Sequence, residues 1–90
     1  MATTQEEIVA GIAEIVEEVT GIDASEVVAE KSFVEDLDID SLSLVEIVVR
    51  LEDTYHVKVP DEDLAQLRTV GDAVVYVQKM EAKLVEDQAN

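Results

Sequence analysis

The segment DLDIDSLSLVEIV places three aspartates, Asp36, Asp38 and Asp40, at alternate positions in front of a serine. Carboxylates at this spacing are typical of a calcium loop, and they match positions 1, 3 and 5 of an EF-hand. The match fails where Ser41 replaces the glycine of the loop and where Ile47 replaces its bidentate glutamate. We therefore expect no dedicated metal site here, and only weak association of divalent cations.

Asp40 and Ser41 are also residue types expected where a helix begins. The side chain of Asp40 can accept hydrogen bonds from the free N–H groups of the first helical turn. Ser41 then becomes the first helical residue, with its hydroxyl exposed at the positive end of the helix dipole. A phosphate ester on that hydroxyl would lie against the N-terminal amides, so the position suits covalent attachment. The alternative is that Ser41 only forms part of the cap.

Catalysis by Ser41 would lack the necessary base. A serine without an assisting base is a poor nucleophile, and His56 is the only histidine in the chain. Nothing in the sequence places His56 near Ser41, and without cysteine the chain encodes no thiol nucleophile. The single histidine also argues against a zinc site. We expect a protein that is not an enzyme.

Helical periodicity and capping signals extend over most of the chain. Thr4 and Glu7 have the spacing of a capping box, and the apolar residues that follow recur at helical spacing until Gly21. Further helices are predicted over residues 41 to about 55, 61 to 66, and 69 to about 83. The predicted fold is all-α, a four-helix bundle with three longer helices, one short helix and a long first loop.

The long first loop is expected to be held on the core by its own apolar residues. It includes a predicted turn at Ser25–Val28, and Phe33 and Leu37 should pin it in place. The length of 90 residues suits one domain. We expect a single domain over residues 1–84, followed by a flexible C-terminal tail over residues 85–90.

The second helix has two apolar faces. One is a broad stripe expected to pack on other helices: Leu44, Ile47, Val48 and Leu51. The other consists of Leu42, Val45 and Val49, with the carboxylates of Glu46 and Asp53 beside it. Val45 is nearest the first stripe and is assigned to the core. Leu42 and Val49 are predicted to form a docking surface for a partner.

Acidic residues dominate the charge, with 22 aspartates and glutamates against six basic residues and a formal net charge of -16. Such a field repels nucleic acid and anionic membrane surfaces, and it steers the protein toward basic patches on partners. Asp36 and Asp38 either take part in this steering or only keep the loop solvated. The N-terminal MATTQEE lacks the features of a signal peptide, and no apolar run is long enough for a bilayer. We expect a cytoplasmic monomer.

The stretch DLDIDSLSLVEIVVRLEDTYHVKVPDED resembles the acyl carrier protein family, including its attachment motif D-S-L followed by V-E. The segments KVPDED and TVGD extend the resemblance, which covers the chain to about residue 84. The resemblance implies that Ser41, flanked by Asp40 and Leu42, carries a covalent 4′-phosphopantetheine arm. A holo-acyl-carrier-protein synthase would transfer this arm from coenzyme A. The thiol that the chain lacks would then come from the arm.

The same resemblance implies a carrier of the growing fatty acyl chain, held as a thioester and sheltered between the helices. Implied partners are the enzymes of type II fatty acid synthesis: holo-synthase, malonyl transacylase, ketoacyl synthases, ketoreductase, dehydratase and enoyl reductase. A carrier of polyketide synthesis and an acidic binding module without a carrier role are the alternatives. More narrowly, QEEIVAGIAEIVEEVTGI and KSFVEDLDIDSLSLVEIV resemble carriers of the meromycolate-extension type. Arg50 interrupts the acidic surface of the second helix, which predicts a partner selectivity of its own.

Overall fold

The computed structural model describes the backbone of residues 4–89 and the side chains of residues 4–83. This part of the chain is helical and contains no extended strand. Its elements, in chain order, are α1 (Gln5–Thr20), a first 3-10 helix (Ala24–Glu26), α2 (Ser41–Tyr55), a second 3-10 helix (Asp61–Gln66) and α3 (Val70–Ala89). The predicted all-α fold, with three longer helices and a long first loop, is confirmed. None of these helices is both long and apolar enough to cross a membrane.

Both ends of α1 form as the capping signals predict. The side-chain oxygen of Thr4 accepts from the backbone N–H of Glu7 at 3.2 Å and donates to the Glu7 carboxylate at 3.0 Å. Gly21 ends the helix in the left-handed conformation, with φ at 81°, and its N–H donates to the carbonyl of Glu17. This conformation is one that a residue without Cβ adopts freely, which explains why the helix stops here.

The end of α2 and the start of α3 show two further caps. His56 ends α2 in the left-handed conformation, with φ at 57°, and its side chain is exposed as expected. At the start of α3, the hydroxyl of Thr69 accepts from the N–H of Asp72 at 3.0 Å. The carboxylate of Asp72 accepts in return from the N–H of Thr69 at 3.2 Å. The predicted start of the last helix is therefore confirmed.

The predicted end of the last helix near Lys83 is wrong, because α3 continues to Ala89. The segment EAKLVEDQA contains neither glycine nor proline and consists largely of strong helix formers, so nothing in it terminates the helix. The expected boundary after residue 84 does not coincide with the end of a helix. The division into a domain and a flexible tail stays a prediction.

The core lies where α1 packs against both α2 and α3. α1 contributes Ile8, Ile12, Ala13, Ile15 and Val16, and α3 contributes Val70, Ala73, Val74, Tyr76 and Val77. The long first loop closes one side of this core. Phe33 is 1% exposed and Leu37 is buried, so both pin the loop as predicted, and Val27 and Ile39 join them. The position of α2 relative to α1 is therefore fixed partly through the loop that precedes it.

An antiparallel bridge between Ser32 and Thr69 was not indicated by any local pattern in the sequence. The N–H of Phe33 donates to the carbonyl of Arg68 at 3.0 Å, and the N–H of Val70 donates to the carbonyl of Lys31 at 2.9 Å. These bonds join the middle of the first loop to the start of α3. Together with the buried loop side chains, they hold the segment that leads into α2.

Candidate attachment and docking site

Asp40 caps the N-terminus of α2. Its carboxylate accepts from the backbone N–H of Ser43 at 2.8 Å, and its carbonyl accepts from the N–H of Leu44 at 2.9 Å. The hydrogen bond from the Ser43 N–H lowers the pKa of the Asp40 carboxyl below its ordinary value. The residue before Ser41 therefore stays ionised and fixes the first turn of the helix, as the sequence predicts.

Ser41 is the first residue of α2, and its side chain is exposed. The hydroxyl therefore lies at the positive end of the helix dipole, where the first-turn N–H groups have no partners within the helix. A phosphodiester on this oxygen would have both room and favourable electrostatics, so the residues present fit a phosphopantetheine arm.

His56 cannot serve as a base for Ser41. It follows α2, at the opposite end of a helix whose 15 residues span about 22 Å. Among the side chains of residues 4–83, no three histidine or carboxylate groups are placed to hold a metal ion. The geometry of the site is that of an attachment point and not of a hydrolase.

Asp36 and Asp38 each have a local structural role that the sequence did not reveal. The carboxylate of Asp36 accepts from the backbone N–H of Ser32 at 2.8 Å, and the hydroxyl of Ser32 accepts from the N–H of Glu35 at the same distance. Asp38 adopts the left-handed backbone conformation, with φ at 55°. Both side chains are exposed on the approach to Ser41. Their participation in partner binding stays a prediction.

The docking face consists of three exposed apolar side chains on α2. Leu42 is 84% exposed, Val49 48% and Val45 47%. The assignment of Val45 to the core is therefore wrong. The stripe of Ile47, Val48 and Leu51 faces the core. Val45 instead shares the outer side of α2 with Leu42 and Val49, where no other element covers it. The predicted second apolar face is thus wider than expected.

A charged rim lies along one side of the docking face. The side chains of Glu46 and Asp53 are exposed. Arg50 also lies on α2, and its guanidinium pairs with Glu46 and with Glu18 of α1. The sequence indicated that Arg50 interrupts the acidic surface. Its contact with α1 depends on the packing of two helices and has no local sequence signal.

An open groove of about 550 Å³ lies between the first loop, the start of α2 and the second 3-10 helix. Leu44, Leu64 and Leu67 supply apolar lining. Leu44 is only partly buried and lies one turn after Ser41, which connects the groove to the attachment site. Acidic side chains and Arg68 surround the opening. The shape and lining are those of a site for an apolar chain with a polar entrance.

Comparisons with known proteins agree with this geometry. The family model described as the phosphopantetheine attachment site matches residues 10–77. The chain is 70% identical over 89 residues to the meromycolate extension acyl carrier protein of Mycolicibacterium smegmatis, covering 99% of this chain and 90% of that protein. It is also 70% identical over 86 residues to an acyl carrier protein of Rhodococcus erythropolis, covering 96% and 94%. A solved acyl carrier protein from Enterococcus faecalis superposes with a TM-score of 0.71 at 35% identity, covering 87% of this chain and 99% of the other.

Proposed function

This chain belongs to the acyl carrier protein family, and from that premise we propose that Ser41 is the residue that bears its phosphopantetheine arm. The protein is a carrier and not an enzyme, and it holds acyl chains on phosphopantetheine for fatty acid synthesis. The observation that carries the assignment is the exposed Ser41 at the first position of α2, directly after the Asp40 cap.

The residues around Ser41 each support attachment of the arm. Asp40 keeps the first turn of α2 intact, so the N–H groups and the helix dipole face the phosphate. The arm supplies a thiol, whose thioester makes an acyl carbonyl more electrophilic and its α-protons more acidic. The protein contributes position, exposure and delivery, and it adds no acid–base chemistry of its own.

Partner enzymes are proposed to bind the docking face of Leu42, Val45 and Val49. The exposed apolar centre would provide affinity, and the acidic residues Glu46, Asp53, Asp36 and Asp38 would steer basic patches toward it. Carrier proteins of fatty acid synthesis must bind several enzymes in succession, so each contact has to form and break rapidly. We propose as partners the holo-synthase, malonyl transacylase, ketoacyl synthases, ketoreductase, dehydratase and enoyl reductase, acting in the cytoplasm.

The acyl chains are proposed to be long ones, of the kind extended in meromycolate synthesis. The similarity to the M. smegmatis carrier supports this, over nearly the whole of both chains. The groove lined by Leu44, Leu64 and Leu67 would hold the part of the chain nearest the thioester. Acylation with short and with long chains, followed by measurement of melting temperature, distinguishes these cases. Stabilisation that does not increase with chain length would contradict sheltering in the groove.

The experiment that tests the carrier function has two steps. The protein is first incubated with coenzyme A and a phosphopantetheinyl transferase, and intact mass is measured. It is then incubated with malonyl-coenzyme A and a malonyl transacylase, and the mass is measured again before and after hydroxylamine. We expect one arm per chain, then one malonyl group that hydroxylamine removes, as a thioester requires. An arm that accepts no acyl group would contradict the carrier function.

A further inference from the structure

Arg50 joins a carboxylate of α1 to a carboxylate of α2. Its Nη1 lies 3.1 Å from Oε2 of Glu18, and its Nη2 lies 3.5 Å from Oε1 of Glu46. The three side chains are 43%, 56% and 57% exposed, respectively, so a docking protein can approach the whole group directly. Two carboxylates and one guanidinium leave the group with a single net negative charge.

The consequence falls on Glu46, which lies on the rim of the docking face. A cation of a partner that approaches Glu46 also approaches the guanidinium of Arg50, and the repulsion offsets much of the attraction. No ion pair within residues 4–83 engages Asp40 or Asp53 in the same way. These two carboxylates lie at the two ends of α2, and the helical rise separates them by about 20 Å.

We propose that Arg50 masks Glu46 and divides the acidic rim into two separate parts. The docking face then fits a partner whose basic residues form two clusters, about 20 Å apart and opposite the ends of α2. A partner that concentrates its basic residues opposite the middle of α2 is disfavoured, because Arg50 meets them there. This inference rests on the proposed function, since it concerns the surface through which a carrier meets its enzymes.

The test is a double-mutant cycle read through arm transfer onto Ser41. The variants are Glu46→Gln, Arg50→Gln and the double variant, with Lys79→Gln as a control that removes one positive charge from exposed α3. The measured quantity is kcat/KM for transfer by a phosphopantetheinyl transferase at low ionic strength, with melting temperature as the check on folding. Asp53→Asn is measured beside them as an end position that Arg50 does not mask.

We expect Glu46→Gln to change kcat/KM by less than about 1.5-fold in the wild type and the Lys79→Gln background, but to lower it about threefold when Arg50 is absent. Asp53→Asn should lower kcat/KM by about threefold with or without Arg50. The coupling should disappear in high salt, because exposed charges are then screened.

Equal losses from Glu46→Gln in the presence and absence of Arg50 would overturn the masking. So would a loss from Glu46→Gln in the wild type as large as that from Asp53→Asn. Failure of the wild type to acquire any arm is a different result, because it contradicts the proposed function and removes the inference with it. Transfer at normal rates without coupling contradicts only the role of Arg50.

Discussion

Tyr76 donates its phenolic hydrogen to the carboxylate of Asp63, with 2.8 Å between Oη and Oδ2. The bond joins α3 to the second 3-10 helix, and the same Oη lies 3.2 Å from the carbonyl of Lys58. Burial, and then the hydrogen bond to Asp63, raise the pKa of Tyr76 from 10.0 to about 12. The tie holds the second 3-10 helix, which forms one wall of the groove beside the attachment site.

Tyr76→Phe should lower the free energy of unfolding by about 1 kcal/mol near neutral pH, because the ring stays buried while one hydrogen bond is lost. The pKa of Tyr76 is higher in the folded state, so its contribution is complete below pH 10 and is lost as the pH rises through about 12. Urea unfolding of both proteins at pH 8 and pH 11 should therefore show a smaller difference at the higher pH. Asp63→Asn is the matched control, since it keeps an acceptor oxygen. A variant as stable as the wild type at pH 8 would contradict the tie.

Asp40→Ala should lower the melting temperature by several degrees, because the N–H of Ser43 loses its acceptor at the start of α2. Asp40→Asn keeps an oxygen in place and should retain most of the stability. The pKa of Asp40 is lower in the folded state than in the unfolded one. Its contribution is therefore present above the ordinary carboxyl pKa and is lost as the pH falls through the lowered value. Thermal melts between about pH 2.5 and pH 6 measure this. Identical acid profiles for the alanine variant and the wild type would exclude the cap as a stabilising element.

Leu42→Asp should slow arm transfer and partner reactions while leaving the fold intact, because Leu42 is 84% exposed at the centre of the docking face. Val75→Asp introduces the same charge at an exposed apolar position of α3 and should change neither activity nor stability. Val48→Asp lies on the buried side of α2 and should unfold the protein. Circular dichroism and kcat/KM for arm transfer distinguish the three. Unfolding by Leu42→Asp would place that residue in the core after all.

Added salt should raise the melting temperature, because a net charge of -16 destabilises the compact state through repulsion. The effect should be clear between about 0.02 and 0.2 M NaCl, where screening becomes effective over the distances between neighbouring surface charges. A divalent cation should act at lower concentration without a dedicated site. A melting temperature that is indifferent to both kinds of ion would show that the acidic surface carries no such cost.

Local signals predicted most of the helices and both features of the attachment site. Thr4, Gly21, Asp40 and Thr69 act on backbone groups within a few residues of themselves, so their roles can be derived from sequence alone. The helical spacing of the two faces of α2 likewise follows from a short window. The continuation of α3 to Ala89 was missed, because its residues carry no stop signal and the frayed end was inferred from position alone.

Features that depend on packing between distant segments could not be predicted in this way. The bridge between Ser32 and Thr69 joins residues that are remote in sequence, and no period or cap announces it. Val45 was assigned to the wrong side because periodicity ranks faces but does not show which of them a neighbouring helix covers. The pairing of Arg50 with Glu18 requires the relative placement of α1 and α2.

The central claim is attachment of the arm at Ser41, and fragment-ion mass spectrometry of the loaded protein tests it most directly. Ser43 provides a matched control, since it lies two residues along the same helical turn with its N–H bound to the same cap. After incubation with coenzyme A and a phosphopantetheinyl transferase, we expect the arm on Ser41 in the wild type and in Ser43→Ala, and no arm in Ser41→Ala. An arm retained by Ser41→Ala, or located on Ser43 in the wild type, would contradict the account.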